Sequence, residues 1–378
     1  MIELNKIYNE DCRETIKRME DNFIDSIVTD PPYELGFMGK KWDNSGIAYN
    51  AELWKECLRV LKPGGYLLAF GGTRTSHRMV CAIEDAGFEI RDSILWLYGS
   101  GFPKSLDIGK AIDKSQGNER NIVGIDKSGS KRNCMNGNFA GGKYNLTKGI
   151  SEYEGWGTAL KPAHEPICVA RKPIAEKTVA QNVLKYGTGG INIDGCRIET
   201  EYKWHRERGI NVGLGGNILR GKKEIPRTGN ESGRFPANVI LDDSDVILSQ
   251  FPNTVSGARN EYQYPPTGNI NFKSGCKKSN ACNGDSGSAS RFFYCAKASK
   301  SERDEGNYHP TVKPISLMQY LQKLITPKGG ITYDPFGGSG TSALSASNEG
   351  FKWILSEIDS EYCEIANKRI FNNNGLFK

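Results

Sequence analysis

The stretch Thr332-Tyr333-Asp334-Pro335-Phe336-Gly337-Gly338-Ser339-Gly340-Thr341 admits few folds. Ile331, after the Gly329-Gly330 turn, leads into a short strand, and Ser342-Ala343-Leu344-Ser345-Ala346-Ser347 has the small residues of a closely packed helix. Strand, glycine-rich turn and helix in that order belong to an open α/β sheet, where ligands bind beyond the carboxyl ends of the strands. Glycines let the backbone approach a ligand with no Cβ in the way. The first helical turn beyond them carries N–H groups without intrahelical partners. A second apolar run, Phe351 to Leu355, ends in Ser356-Glu357-Ile358-Asp359. An acid about 20 residues past such a turn accepts ribose hydroxyls. Glu357 lies nearer the strand tip and is favoured for that contact, with Asp359 beside it. Taken alone, this layout also suits a nicotinamide oxidoreductase, or a strand-to-helix turn that binds nothing.

The second anchor lies near the other end of the chain. Asp25-Ser26-Ile27-Val28-Thr29 reads as a strand and runs into Asp30-Pro31-Pro32-Tyr33. Two prolines fix φ and withhold N–H donors, so the backbone is stiff and its carbonyls point outward. Asp30 adds an acceptor, and Tyr33 adds a flat face with a polar tip. The group suits a planar base with an exocyclic amine, the acceptors taking the amine hydrogens and the ring stacking on the tyrosine. An ordinary proline turn after a strand has the same local pattern.

Together, Asp30-Pro31-Pro32-Tyr33 and Asp334-Pro335-Phe336-Gly337-Gly338-Ser339-Gly340-Thr341 resemble the DNA amino-methyltransferases that use S-adenosylmethionine. Catalytic motif first and cofactor motif last is the order of their β group. His309-Pro310-Thr311-Val312-Lys313-Pro314 matches that group as well. The resemblance covers both ends of the chain well and the middle in patches. It implies an α/β, Rossmann-like methyltransferase fold: a mostly parallel seven-stranded sheet with one antiparallel strand, circularly permuted, with a large loop-rich insertion. It implies S-adenosylmethionine as cofactor, double-stranded DNA as partner, no metal, and Asp30, Pro31, Pro32 and Tyr33 as the catalytic group. The cofactor site would comprise Asp334, Pro335, Phe336, Gly337, Gly338, Ser339, Gly340, Thr341, Glu357 and Asp359. Asp11 matches the acid that contacts the cofactor's adenine in the family, and is equally placed to cap a helix. Thr311 and Lys313 match the segment at the cofactor's methionine end, while His309 is expected to be structural. Asp at the first motif position points to adenine N6 as the target, with cytosine N4 as the alternative. A base inside a duplex must then be flipped out.

At 378 residues the chain can bury one large core or two smaller ones. A net charge of +6 and a pI near 8.6 suit a phosphate-bearing partner without requiring one. Mean hydropathy is -0.53, and no apolar run approaches the roughly 20 residues that span a bilayer. Met1-Ile2-Glu3-Leu4-Asn5-Lys6 lacks the features of a signal peptide. A cytoplasmic protein of a bacterium or its phage is expected, as monomer or homodimer. The ten cysteines form no Cys-x-x-Cys pair, so free thiols are expected.

Between the anchors, helical spacing over Glu52–Leu61 stops at Lys62-Pro63-Gly64-Gly65, and Tyr66–Phe70 reads as a buried strand. A helix at Ser76–Ala86 and a strand at Phe88–Tyr98 follow. This alternation predicts a mostly parallel sheet. His164–Ala170 is expected antiparallel to the Phe88 strand, as the hairpin that closes the sheet. Glu34–Asn50 reads as a mobile loop. The intervals 99–160 and 172–307 show no helix or strand period and are rich in Gly, Asn, Ser, Lys and Arg. The chain's 44 glycines exceed the usual share of about 7%. Lys131-Arg132, Lys203-Trp204-His205-Arg206-Glu207-Arg208 and Arg220-Gly221-Lys222-Lys223 suit phosphate contact plus stacking or base contact. The expected organisation is a catalytic half (1–98), a target-reading insertion (99–307, with 162–171 returning to the sheet) and a cofactor half (308–378). Gly233–Leu241 and Arg291–Ala296 should be strands that pack back on the catalytic domain. A helix is expected over Thr311–Leu324, with Pro314 in its first turn.

Other classes compete. An RNA or protein-glutamine methyltransferase fits the permuted order and the basic insertion less well. A nicotinamide oxidoreductase has no use for Asp30-Pro31-Pro32-Tyr33. A non-catalytic DNA-binding protein has no use for the cofactor pocket.

Overall fold

The computed structural model describes residues 2–36, 41–99, 101, 105–126, 144–199, 233–256, 262–263, 278–279, 285–296 and 312–374. The three basic runs singled out above, His309 and Thr311 lie outside these residues. The chain opens with β1 (Lys6–Asn9), α1 (Cys12–Lys17), β2 (Ile24–Thr29), α2 (Ala51–Val60), β3 (Leu61–Phe70), α3 (Ser76–Asp85) and β4 (Glu89–Leu97). An excursion then carries α4 (Ile108–Gln116) and the hairpin of β5 (Asn121–Asp126) and β6 (Tyr144–Lys148), and returns through β7 (His164–Arg171). A second excursion holds α5 (Val179–Tyr186), β8 (Val239–Asp242), α6 (Asp245–Leu248) and the β9 (Asn253–Ser256) and β12 (Asp285–Ser288) pair. It also holds the two-residue strands β10 (Tyr262–Gln263) and β11 (Lys278–Ser279), and ends in β13 (Tyr294–Ala296). The chain finishes with α7 (Ile315–Ile325), β14 (Ile331–Asp334), α8 (Thr341–Asn348), β15 (Lys352–Glu357) and α9 (Ser360–Asn374).

The main sheet has nine strands, in the order β1-β15-β14-β2-β3-β7-β4-β8-β13. Every pairing is parallel except those of β7, which runs against both β3 and β4. Seven strands were expected. The other two, β8 and β13, come from the interval read as insertion, as anticipated for strands there. They extend the sheet past β4, whose open edge would otherwise present unpaired N–H and C=O groups. The β4–β7 hairpin therefore lies inside the sheet and does not close it. The two intervals read as irregular also hold α4, α5 and short hairpins.

Side chains alternate across a strand, and here both faces are apolar. In β3, Leu67 and Ala69 enter one core cluster while Leu68 and Phe70 enter another; Ile27 and Val28 of β2 divide in the same way. Such strands need cover on both sides. Ile16 of α1, Trp54 of α2 and Ile83 of α3 supply it on one face, and Leu317, Met318 and Leu321 of α7 on the other. The Asn50 side chain caps α2 by accepting from the Glu52 N–H at 2.9 Å. α2 then passes directly into β3, so the expected Lys62–Gly65 turn is absorbed by the strand as an irregularity opposite Ile24 and Ser26.

Strands from the two ends of the chain interleave, since β15 and β14 stand between β1 and β2. β14 pairs with β2 through Thr332 opposite Ser26 and Tyr333 opposite Ile27. Asp25, buried at 3% exposure, stitches this seam: it accepts from the Ile331 N–H at 2.8 Å and from Lys62 Nζ at 2.7 Å. Ser26 Oγ and Thr326 Oγ1 add a buried hydrogen bond of 2.7 Å. Among the described residues all cysteines are free, and no helix is long and apolar enough to cross a membrane.

Asp25→Ala should lower the unfolding free energy by about 2 kcal/mol, because it strands an N–H and an ammonium that the carboxylate now satisfies. Urea denaturation of the two proteins measures this, and an unchanged midpoint and slope would show that the seam does not depend on Asp25.

Candidate active site

The carboxyl ends of β1, β2, β14 and β15 open on one cavity of about 860 Å3. Asp11, Asp30, Tyr33, Phe336, Glu357 and Asp359 all line it, so the two ends of the chain share a single cavity. Residues from the Glu34–Asn50 loop line it too, among them Asp43 and Asn50. Where described, that loop is braced: the Glu34 carboxylate accepts from the Gly46 N–H at 2.8 Å, and residues 41–44 and 47–49 form 3-10 turns.

At the tip of β2, the Asp30 carboxylate is divided. Its Oδ2 accepts from Lys313 Nζ at 2.6 Å. Its Oδ1 is buried and has no partner among the described residues. Lys313 also lies 3.2 Å from Glu165 Oε2 and donates to the Tyr33 hydroxyl at 3.3 Å. Its ammonium stands over the rings of Phe70, at 4.9 Å, and Tyr33, at 5.4 Å. Burial works against the ammonium charge, but the carboxylates of Asp30 and Glu165 outweigh it and hold the Lys313 pKa well above its ordinary value. Tyr33 donates to Glu165 Oε2 at 2.8 Å, and its carbonyl accepts from Thr75 Oγ1 at 2.7 Å. Burial, with Asp30 and Glu165 adding to it, pushes the Tyr33 phenol well above its usual range. Pro31 and Pro32 line the cavity beside them. Lys313 lines the cavity as well, with its ammonium on the Asp30 group.

The glycine turn is held from three sides. Asp334 accepts from Thr29 Oγ1 at 2.6 Å, from Ser342 Oγ at 2.5 Å and from the Phe336 N–H at 3.0 Å. Its carboxylate is thus occupied by the protein and positions the turn. Burial raises its pKa to about 6, against the pull of those three donors. Arg369 of α9 donates to the Ser339 carbonyl at 2.6 Å, to Ser339 Oγ at 2.9 Å and to Thr341 Oγ1 at 3.0 Å. The glycines answer to packing as much as to any ligand. A Cβ on Gly337 would fall on the Leu355 side chain, and one on Gly340, at φ +79°, would come within 2.7 Å of Ala366 Cβ. Gly340 is the one member of the turn that does not line the cavity.

At the tip of β15, Glu357 accepts from the Gly338 N–H at 2.7 Å and the Asp359 N–H at 2.8 Å. Burial raises its pKa, with the two N–H groups pulling it back. Asp359 accepts from the Glu361 N–H at 2.9 Å at the start of α9. Asp11 caps α1 through the Arg13 N–H at 2.9 Å and also lines the cavity. Its pKa is lowered, chiefly by the Arg13 side chain.

Among the described residues, eight carboxylates line the cavity against two cations, Arg13 and Lys313. Both cations are already paired, with Asp11 and with Asp30 and Glu165. Among the described residues no group of three or more His, Cys, Asp or Glu side chains is arranged to hold a metal ion. Sequence reasoning missed Glu165 and Arg369. Neither stands in a motif, and only the strand direction of β7 and the docking of α9 bring them in.

Residues 24–368 match a family described as DNA methylase, of the N6 and N4 methyltransferase type. Type II methyltransferase M.HindIII of Haemophilus influenzae is 21% identical, over 96% of this chain and 94% of that one. Type II methyltransferase M.HpaI of Haemophilus parainfluenzae is 36% identical over 24% of this chain and 31% of its own length. Among solved structures, the PvuII DNA methyltransferase, described as cytosine-N4-specific, aligns over 98% of this chain and 91% of that one. Its TM-score is 0.46 and its identity 12%.

The raised pKa of Asp334 gives a pH signature. Its folded value is about 6, against about 3.9 for an unfolded aspartate. Between them the folded protein holds a proton that the unfolded chain has released. The stability from this group is therefore full below pH about 4 and is lost as pH rises through about 6. The difference in unfolding free energy between wild type and Asp334→Asn should decline over that window, as measured by urea denaturation at successive pH values. A difference that stays level would refute the shifted carboxyl.

Proposed function

Because the chain belongs to the N6/N4 DNA methylase family, we propose that it is a type II DNA methyltransferase that moves a methyl group from S-adenosylmethionine to the exocyclic N6 of adenine. The observation that carries this reading is Asp30 itself, whose buried Oδ1 has no partner among the described residues and which lines the same cavity as Phe336 and Glu357. A buried acceptor left open costs stability unless something else fills it. The amine of a base, brought to the tip of β2, fills it.

The cavity fits the cofactor by its charge. The described part of its lining sums to -6, from eight carboxylates and two cations, while the whole chain carries +6. An anionic lining suits a cation that also carries hydroxyls, and it repels the pyrophosphate of a dinucleotide, which disfavours the oxidoreductase reading. Glu357, its carboxylate aimed by two backbone N–H groups, would hold the ribose, and Asp11 the adenine of the cofactor. S-adenosylmethionine supplies a methyl group on a positively charged sulfur, which leaves with its bonding electron pair.

This chain's own residues prepare the nucleophile. An amine on an aromatic ring is weak because its lone pair is spread into the ring. Asp30 Oδ1 accepting one amine hydrogen, and the Pro31 carbonyl the other, draws the nitrogen toward tetrahedral geometry and localises that pair. The proton shed afterwards has Asp30 Oδ1 as its first acceptor. Tyr33, fixed by Glu165 and Thr75, offers the face on which the base stacks. Positioning of this kind contributes a large part of the rate. The base must leave the duplex to reach a site this concave. The chain's net positive charge suits a partner that carries phosphates. Asp at position 30, by the family's pattern, favours adenine over cytosine.

Nucleosides from duplex DNA incubated with the protein and S-adenosylmethionine should contain N6-methyladenine by mass spectrometry. N4-methylcytosine in its place would move the target, and no methylated base at all would sink the reading. Asp30→Ala should cut transfer by about a hundredfold or more while S-adenosylmethionine binding by calorimetry is retained.

A further inference from the structure

Glu165 is the second residue of β7, the one strand that runs against its neighbours. β14 and β15 bring their last residues to the cavity and β1, β2 and β4 the residue just after, whereas β7 brings its first two. The Glu165 side chain is 17% exposed there and has two neighbours in the site. The Tyr33 hydroxyl donates to Oε2 at 2.8 Å, and Lys313 Nζ lies 3.2 Å from the same oxygen. Nothing in the proposed transfer has so far required a second buried carboxylate 3 Å from the lysine.

Two physical arguments give it work. The first concerns where the ammonium sits. A lone Asp30–Lys313 pair could settle with Nζ across both carboxylate oxygens, and Oδ1 would then be occupied. Glu165 draws the ammonium to the far side, so that Nζ meets Oδ2 at 2.6 Å and Oδ1 is left without a partner. The second concerns net charge. With Lys313 the only cation among them, Asp30, Glu165 and Lys313 sum to -1. Positive charge grows on the amine nitrogen as it takes a methyl group. A fixed anionic cluster beside it stabilises that change more strongly in a buried site than in water. A neutral Asp30–Lys313 pair would offer only a dipole.

We infer that Glu165 is a positioning residue of the transfer reaction. By sharing the Lys313 ammonium it keeps Asp30 Oδ1 open and the cluster anionic, and by accepting from Tyr33 it fixes the stacking ring. This rests on the proposed methyl transfer to a base amine. Glu165 acts through its neighbours, so the test needs readouts beyond lost activity.

Glu165→Gln preserves size and leaves an amide oxygen for the Tyr33 hydroxyl, removing only charge. In single-turnover transfer to DNA at saturating S-adenosylmethionine, its rate should fall by about tenfold or more. Cofactor affinity by calorimetry should stay within about twofold, which separates a transition-state effect from a damaged pocket. Glu165→Asp, which keeps the charge, should be faster than Glu165→Gln. Lys313→Met leaves two carboxylates facing each other with no cation between them. With no ammonium left to draw aside, adding Glu165→Gln to it should slow transfer by less than Glu165→Gln slows the wild type. The inference is overturned by a Glu165→Gln rate at the wild-type level, by rate and cofactor affinity falling in parallel, or by Glu165→Gln costing as much rate in the Lys313→Met background as in the wild type. Failure of the wild-type chain to methylate DNA would overturn the proposed function and this inference with it. An active wild type with an equally active Glu165→Gln would overturn this inference alone.

Discussion

The seam between β14 and β2 is the constraint on which the site depends. Its backbone register is short, Thr332 with Ser26 and Tyr333 with Ile27. Side chains extend it. Asp25 reaches the Ile331 N–H, Ser26 meets Thr326, and Thr29 donates to Asp334. Each of these bonds joins the start of the chain to its finish. Because the two strands are parallel and in register, their tips end side by side. The Asp30 turn and the Phe336 turn then have to face one space. Were the seam to slip by one residue, every side chain on β14 would change face, and Tyr333 would leave the core.

Charge is sorted by depth in this protein. The cavity is anionic while the chain as a whole is cationic. Buried carboxylates are costly, and the structure offsets that cost locally. Asp334 is held by two hydroxyls and an N–H, Glu357 by two N–H groups, and Asp30 by one ammonium. Burial still dominates for Asp334 and Glu357, whose pKa values rise. The exception is Asp30 Oδ1, which has no such partner. Among the described residues two carboxylate oxygens are buried without a partner, Asp30 Oδ1 and Asp113 Oδ1, and of the two residues only Asp30 lines the cavity.

Much of this was readable in the residues. The strand–glycine turn–helix pattern placed β14 and α8. The Asp30-Pro31-Pro32-Tyr33 stretch placed the end of β2, and the acid after Leu355 placed the tip of β15. Local pattern sufficed there because each element's own residues determine it. It failed where distant parts decide. Gly337 and Gly340 read as room for a ligand, yet Leu355 and Ala366 occupy the space. Lys313 read as part of a cofactor segment, yet its long side chain reaches Asp30 and Glu165. Glu165 had no signal at all, since its place follows from strand direction. The strand count fell short because β8 and β13 are brief, and their partners lie far away in sequence.

The reversed course of β7 has a consequence for how such a protein diversifies. The excursion between Leu97 and His164 leaves and re-enters at the rim of the cavity, where Tyr98, Pro162 and His164 stand. Yet β7 is gripped on both sides along its length, by β3 and by β4. Residues can be gained, lost or rewritten within that excursion without moving Glu165, because the strand beneath is anchored independently of the loop that feeds it. The excursion and the strand that carries Glu165 are thus held separately, and the first can be altered without the second.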